Sequence, residues 1–153
     1  MIKVLFVCLG NICRSPMAEA VFRAKVNESG MQDKFFISST ALGTWNLGNR
    51  PHEGTQAILD EHQIDYSGIT STKINASDFE EYDYIFGMDQ ENINGLLALA
   101  KTAEEKAKVR LLLDSVPNVS TLEIPDPYYT DNFDLTFELV DAGTSFWLNK
   151  IIE

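Results

Sequence analysis

The hydrophobic residues of this chain form short runs that alternate with amphipathic stretches. Residues 3–8 form a β-branched and apolar run, the pattern of a strand buried on both faces of a parallel sheet. Comparable runs predict strands over residues 35–37, 82–88 and 109–113. Strands that alternate with helices indicate right-handed βαβ units. The pattern therefore predicts an α/β fold with a small four-stranded parallel sheet, flanked by helices on both faces.

The stretches between these runs predict helices. Ser15 is placed to be an N-cap with Pro16 as the first helical residue, and residues 29–30 end that helix. Further helices are expected to start at Pro51 and at Asp89, and His52 and His62 are expected at exposed helix positions. The tail repeats apolar residues at spacings of three, four and seven, which predicts one buried helix face: Phe133, Phe137, Val140, Trp147 and Ile151.

Length, composition and charge narrow the class of protein. With 153 residues, 44% of them hydrophobic, residues 1–153 are expected to form a single domain. No apolar run is long enough to span a bilayer and the N-terminus does not look like a signal peptide, so we expect a cytoplasmic protein without a membrane partner. The net charge of −11 disfavours nucleic acid as a partner. Two cysteines and two histidines give no reason to expect a metal or a cofactor.

The segment after the first predicted strand has the composition of an anion-binding loop. Gly10 and Asn11 tolerate the left-handed backbone that brings N–H groups together around an anion. The start of the following helix adds positive potential, and Arg14 can grip two phosphate oxygens with its guanidinium. The sequence therefore predicts a phosphate-binding loop after the first strand, whose substrate-binding residues are Leu9, Gly10, Asn11, Ile12, Cys13 and Ser15.

Cys8 lies at the end of the first strand, on the floor of this loop. Helix N-termini and neighbouring guanidinium groups favour the thiolate form of cysteine. The field that binds an oxyanion thus also produces a nucleophile, which indicates a phosphocysteine intermediate that water later hydrolyses. A strand cysteine is more often a small hydrophobic residue. The combination of strand, Gly-Asn turn, Arg14 and helix start favours the nucleophile.

Three further features accompany the loop: Trp-Asn-x-Gly at residues 45–48, Met-Asp at 88–89 and Asp-Pro-Tyr-Tyr at 126–129. Together with residues 7–16, they resemble the low-molecular-weight protein tyrosine phosphatase family over essentially the whole chain. The resemblance implies hydrolysis of phosphotyrosine and aryl phosphates. It implies Cys8 as the nucleophile, Arg14 as a phosphate ligand and Asp126 as the general acid. It also implies that Asn11 shapes the loop and that Ser15 donates a hydrogen bond to the thiolate.

Trp45, Tyr128 and Tyr129 are expected to form the wall of the cleft, because they lie beside Pro, Gly and Asn on predicted loops. A deep aromatic cleft favours phosphotyrosine over the shorter phosphoserine. The expected partners are therefore tyrosine-phosphorylated proteins, with inorganic phosphate and other oxyanions as competitive ligands. The resemblance also implies that Cys13 forms a reversible disulfide with Cys8 after oxidation; its alternative role is packing.

The sequence departs from the family pattern in two segments. Many members carry Ser-x-Gly-Thr ahead of the Trp, where this chain has Thr40, Ala41 and Leu42 after Ser39. Many also carry His-x-Ala-Arg before the third strand, where residues 68–72 contain neither His nor Arg. We therefore expect the hydrogen bonds that support the loop to be rearranged.

Two other functions share parts of this pattern. An arsenate reductase of the same fold needs further cysteines, and this chain has only Cys8 and Cys13. A non-catalytic phosphoprotein-binding module or phosphocysteine carrier needs no general acid, and Asp126 argues against it.

Overall fold

The computed structural model describes all 153 residues and contains one four-stranded parallel sheet. The strands are β1 (Ile2–Cys8), β2 (Phe35–Ala41), β3 (Tyr84–Gly87) and β4 (Val109–Leu111), in the order β2-β1-β3-β4. The helices are α1 (Arg14–Glu28), α2 (Glu53–Glu61), α3 (Asp78–Glu81), α4 (Gln90–Leu99), α5 (Ala103–Ala107), α6 (Pro127–Thr130) and α7 (Phe133–Ile152), with a 3₁₀ turn at Gln32–Lys34. The predicted fold class is confirmed.

Strand β1 is central and contributes to a core on each face of the sheet. Val4, Phe6 and Cys8 belong to the larger core, which also contains residues of α1, α2 and α7. Leu5 and Val7 belong to a smaller core with residues of α3 and α4. Because successive strand residues point to opposite faces, an uninterrupted apolar run is what this position requires.

Several predicted boundaries were wrong. Helix α1 begins at Arg14 rather than after Ser15, so Ser15 is a buried residue inside the helix and not its N-cap. Helix α2 begins at Glu53, with His52 rather than Pro51 at its start. Strand β3 begins only at Tyr84, because residues 78–81 form the short helix α3.

The C-terminal helix α7 was predicted correctly. Trp147 is buried in the larger core and its indole N–H donates to the Leu112 carbonyl at 2.8 Å. No helix in the chain is both long enough and apolar enough to cross a bilayer.

Candidate active site

The loop after β1 wraps around the sulfur of Cys8. Asn11 adopts the left-handed conformation, with φ of 55°, and its backbone N–H donates to Cys8 Sγ at 3.3 Å. The Ser15 hydroxyl lies 3.0 Å from the same sulfur. The whole arrangement is buried, since Cys8 is 3% exposed and Asn11 1%. The sulfur is therefore held among hydrogen-bond donors at the carboxyl end of the central strand.

The side-chain amide of Asn11 sets the direction of these hydrogen bonds. Its Oδ1 accepts from the Thr72 backbone N–H at 3.1 Å, which leaves Nδ2 as the donor. Nδ2 donates to Ser15 Oγ at 2.7 Å and to Ser39 Oγ at 3.0 Å. Because Ser15 accepts from Asn11, its own proton is free to point at Cys8 Sγ. That arrangement suits a sulfur that carries negative charge.

The two segments that depart from the family pattern both support the loop. The Ser39 hydroxyl, at the edge of the first segment, donates to Glu19 Oε1 at 2.6 Å, and Glu19 also pairs with Arg23. In the second segment, Ser71 Oγ donates to the Gly10 carbonyl at 3.0 Å, next to the Thr72 contact. The loop is thus anchored by hydroxyl and backbone groups where the family pattern has His and Arg.

Arg14 lines the cavity with only part of its guanidinium hydrogen-bonded. Its Nη1 donates to Asp89 Oδ2 at 2.6 Å and to the Ile124 carbonyl at 2.9 Å. Its Nε is buried without a partner, and Nη2 lies 3.5 Å from Asp126 Oδ2. Burial opposes the charged form, but the negative charges of Cys8, Asp89 and Asp126 outweigh it and raise the pKa of Arg14. The Nε–Nη2 edge can therefore bind two oxygens of one anion.

Asp89 was not predicted as the partner of Arg14. It follows β3, the neighbour of β1, and its Oδ1 accepts from the Asn92 N–H at the start of α4. The sequence feature that could have identified Asp89 is its position directly after a strand, since the carboxyl ends of parallel strands meet at one edge of the sheet. One carboxylate thus caps a helix and fixes the guanidinium.

Asp126 lies at the mouth of the loop, as predicted, although 118 residues separate it from Cys8 in the sequence. It is the N-cap of α6, and its Oδ1 accepts from the Tyr128 N–H at 3.1 Å. Its side chain is 24% exposed, so it can reach both the cleft and solvent. Pro127, buried behind it as the first helical residue, fixes the backbone there.

The loop opens into a cavity of about 350 Å³ with aromatic walls. Trp45 is 72% exposed and its ring lies against Gly43, where a Cβ atom would come within 1.8 Å of the indole. Of the predicted site residues, Ser15 alone does not line this cavity, because it lies beneath the loop; its proposed role in direct substrate binding is corrected to supporting Cys8. Asn46 lines the cavity and was not predicted. The other lining residues are Cys8, Leu9, Gly10, Asn11, Ile12, Cys13, Arg14, Asp126, Tyr128 and Tyr129.

Cys13 is buried in the same loop as Cys8. It is 4% exposed, and burial, followed by the charges of Cys8 and Asp126, raises its pKa to about 12. Both cysteines are free thiols. Nowhere in the chain do three carboxylate, imidazole or thiol groups come together as a metal site requires.

Comparison with known proteins gives one consistent result. The family described as "Low molecular weight phosphotyrosine protein phosphatase" matches residues 3–153. The low molecular weight protein-tyrosine-phosphatase YfkJ of Bacillus subtilis is 44% identical over 151 residues, which are 99% of this chain and 96% of that protein. Its counterpart PtpA of Staphylococcus aureus (strain MRSA252) is 43% identical over 153 residues, 100% of this chain and 96% of that protein.

Solved structures agree with the sequence comparisons. The crystal structure of YfkJ matches with a TM-score of 0.95 at 43% identity, over 99% of this chain and 94% of that one. A protein tyrosine phosphatase from Entamoeba histolytica matches with a TM-score of 0.92 at 30% identity, over 99% and 97%.

Proposed function

The chain belongs to the low molecular weight phosphotyrosine protein phosphatase family and is a cysteine-dependent protein tyrosine phosphatase, and we propose that Cys8, Arg14 and Asp126 carry out its reaction. The observation that carries this proposal is the position of Cys8 Sγ between the Ser15 hydroxyl and the Asn11 N–H. The Nε–Nη2 edge of Arg14 and the carboxyl group of Asp126 line the same cavity.

In the first step, the Cys8 thiolate attacks the phosphorus of the bound aryl phosphate. The S–P bond forms as the bond from phosphorus to the phenolic oxygen breaks, and protonated Asp126 gives its proton to that oxygen. The backbone N–H groups of the loop and the Arg14 guanidinium stabilise the charge on the phosphoryl oxygens. Because these donors are already in place, little reorganisation is needed.

In the second step, water hydrolyses the phosphocysteine. Asp126, now a carboxylate, takes a proton from the attacking water as the new P–O bond forms and the S–P bond breaks. The Cys8 sulfur leaves as a thiolate, with Ser15 and Asn11 as its hydrogen-bond donors. Phosphate is released, and the proton taken from water returns Asp126 to the protonated state in which it started.

The substrates are phosphoproteins. We propose more specifically that they are tyrosine-phosphorylated proteins, which bind between Trp45 and the two tyrosines of α6. Inorganic phosphate and other oxyanions compete for the same loop. We assign the enzyme to the cytoplasm because its nucleophile must stay a free thiol, which a reducing compartment maintains. Residues 1–153 form a single phosphatase domain in this proposal. The arsenate reductase and binding-module alternatives gain no support from the relatives.

Trapping the intermediate tests these assignments. Acid quenching during turnover of phenyl phosphate, followed by peptide mass spectrometry, should find phosphate on Cys8. The Cys13→Ser variant serves as the matched control and should give the same phosphorylated peptide. Phosphate on any other residue, or on none while turnover continues, would contradict the assignment of the nucleophile.

A further inference from the structure

The start of helix α2 lies between the two loops that carry the active-site residues. The His52 backbone N–H donates to the Ile12 carbonyl at 2.8 Å, and Thr55 Oγ1 donates to the Cys13 carbonyl at 3.2 Å. On its other side, the imidazole of His52 meets the Tyr128 ring edge-to-face, with centroids 6.2 Å apart at 84°. His52 is therefore in contact with the nucleophile loop and with the turn that bears Asp126.

The imidazole is held in one orientation. Its Nδ1 accepts from the Gly54 backbone N–H at 3.0 Å, which makes His52 the N-cap of α2. The ring stacks on Phe133 with centroids 5.2 Å apart and an interplanar angle of 21°. Phe133 is pressed against the same turn, since a Cβ on Gly54 would come within 2.4 Å of its ring. The exposed helix position predicted for His52 was thus wrong, because the side chain is half-buried between two aromatic rings.

Tyr128 connects this ring to Asp126. Its backbone N–H donates to Asp126 Oδ1, and both residues belong to the single turn that forms α6. Tyr128 is 59% exposed, so the packing that orders its ring comes from His52 and from Tyr129, at a centroid distance of 5.3 Å. The same residue therefore carries both the ring that packs on His52 and the N–H that orients the acid.

We infer that His52 is a positioning residue for the general acid: its ring fixes Tyr128 and thereby the orientation of Asp126 toward the leaving group. The inference rests on the proposed role of Asp126. It assigns to His52 no contact with substrate. It predicts an effect on proton donation rather than on the attack by Cys8.

The chain supplies a matched control at the opposite end of the same helix. His62 is the C-cap of α2 and stacks on Phe137, one turn along α7 from Phe133, with centroids 3.9 Å apart at 9°. It is exposed and lies outside the cavity. Replacing His62 removes an equivalent stack without touching the acid.

The experiment compares His52→Asn with His62→Asn on two substrates. Asparagine retains an N-cap acceptor for the Gly54 N–H but removes the ring. We expect His52→Asn to lower kcat/KM for phenyl phosphate, which reports transfer to Cys8 and not the later hydrolysis, by about 5- to 20-fold, the scale of a misplaced acid. For p-nitrophenyl phosphate, whose leaving group scarcely needs a proton, the loss should be less than about twofold. His62→Asn should leave both rates within about twofold.

A second variant and a double variant complete the test. His52→Phe retains the aromatic contact and gives up the cap, so it should restore the wild-type ratio of the two rates even if its thermal unfolding temperature falls. In an Asp126→Asn background, His52→Asn should cause no further loss with phenyl phosphate. An equal loss on both substrates, or an additive loss in the double variant, would overturn the inference.

The same kinetic measurements test the proposed role of Asp126 independently of the inference about His52. If Asp126→Asn alone shows no dependence on the leaving group, the role of Asp126 is wrong whatever His52 does. If Asp126→Asn shows that dependence and His52→Asn does not, only the inference about His52 fails.

Discussion

The floor and the rim of the active-site cleft are built in different ways. On the floor, Cys8, Asn11 and Arg14 are each no more than 3% exposed and are held by hydrogen bonds from distant parts of the chain. On the rim, Trp45 is 72% exposed and Tyr129 is 80% exposed. In the proposed mechanism, the floor contacts the phosphoryl group, which every phosphate monoester shares, whereas the rim contacts the group that leaves. Changes to the floor should therefore affect all substrates alike, and changes to the rim should depend on the leaving group.

The largest effect is expected for the nucleophile on the floor. Cys8→Ser should lower turnover of phenyl phosphate and p-nitrophenyl phosphate equally, by at least about 10³-fold, because a serine hydroxyl is far harder to ionise. Binding of inorganic phosphate should persist, since the loop N–H groups and Arg14 remain. Calorimetry with phosphate and steady-state kinetics measure the two properties. Turnover within tenfold of wild type would remove Cys8 from the mechanism.

The acid on the rim should separate the two substrates. Asp126→Asn is expected to slow hydrolysis of phosphotyrosine by about 10²–10⁴-fold, the usual contribution of a general acid. The loss in kcat/KM, which reports transfer of the phosphoryl group to Cys8, should be much smaller for p-nitrophenyl phosphate. Asparagine can still accept from the Tyr128 N–H, so α6 should keep its cap. Equal losses on both substrates would show that Asp126 acts on structure or on the hydrolysis step instead.

A smaller effect is expected for the support beneath the floor. Ser39→Ala removes one of the two acceptors of the Asn11 amide and the link to Glu19. A buried hydrogen bond contributes about 1 kcal/mol, which corresponds to about fivefold in rate. We expect kcat to fall by that factor for both substrates. The neighbouring Ser38→Ala is the control and should keep the wild-type rate; equal loss in both variants would point to damage to β2 instead.

The smallest effect on kcat is expected for the aromatic wall. Gly43→Ala places a methyl group where the Trp45 ring now lies and should displace that ring. An aromatic contact contributes about 0.5–1.5 kcal/mol, so KM for a phosphotyrosine peptide should rise by about two- to tenfold with kcat nearly unchanged. Trp45→Ala should give the same result. If Trp45→Ala raised KM and Gly43→Ala did not, the indole would reach substrate from a second position.

The parts of the site that the sequence predicted are those that lie close together in the chain. Residues 7–16 carry the strand end, the turn and the cation in one segment, so their chemistry could be worked out locally. Asp126 was identified through family resemblance, because no local sequence pattern predicts that it lies near Cys8. The Asp89 contact with Arg14 depends on the order of the strands in the sheet.

The errors at element ends have a physical cause in the site itself. Ser15-Pro16 has the local pattern of a helix start, yet the helix begins one residue before Ser15. The hydroxyl of Ser15 is needed by Cys8 and Asn11 and so is not available to cap the helix. Likewise, the half-buried position of His52 depends on Phe133, 81 residues later in the sequence. These contacts depend on tertiary structure, which local sequence patterns do not predict.

The spacing of the contacts around the loop also determines when catalytic activity arises during biosynthesis. The segment that contains Cys8 leaves the ribosome early, but Asn11 is held by Thr72, 61 residues later. Arg14 needs Asp89 and Ile124, which are 75 and 110 residues later. Domains fold as units and nonlocal contacts form only after the entropy of closing long loops has been overcome. A nascent chain therefore carries the Cys8 thiol long before it can turn over substrate, and activity appears only when nearly the entire polypeptide has been synthesised and folded.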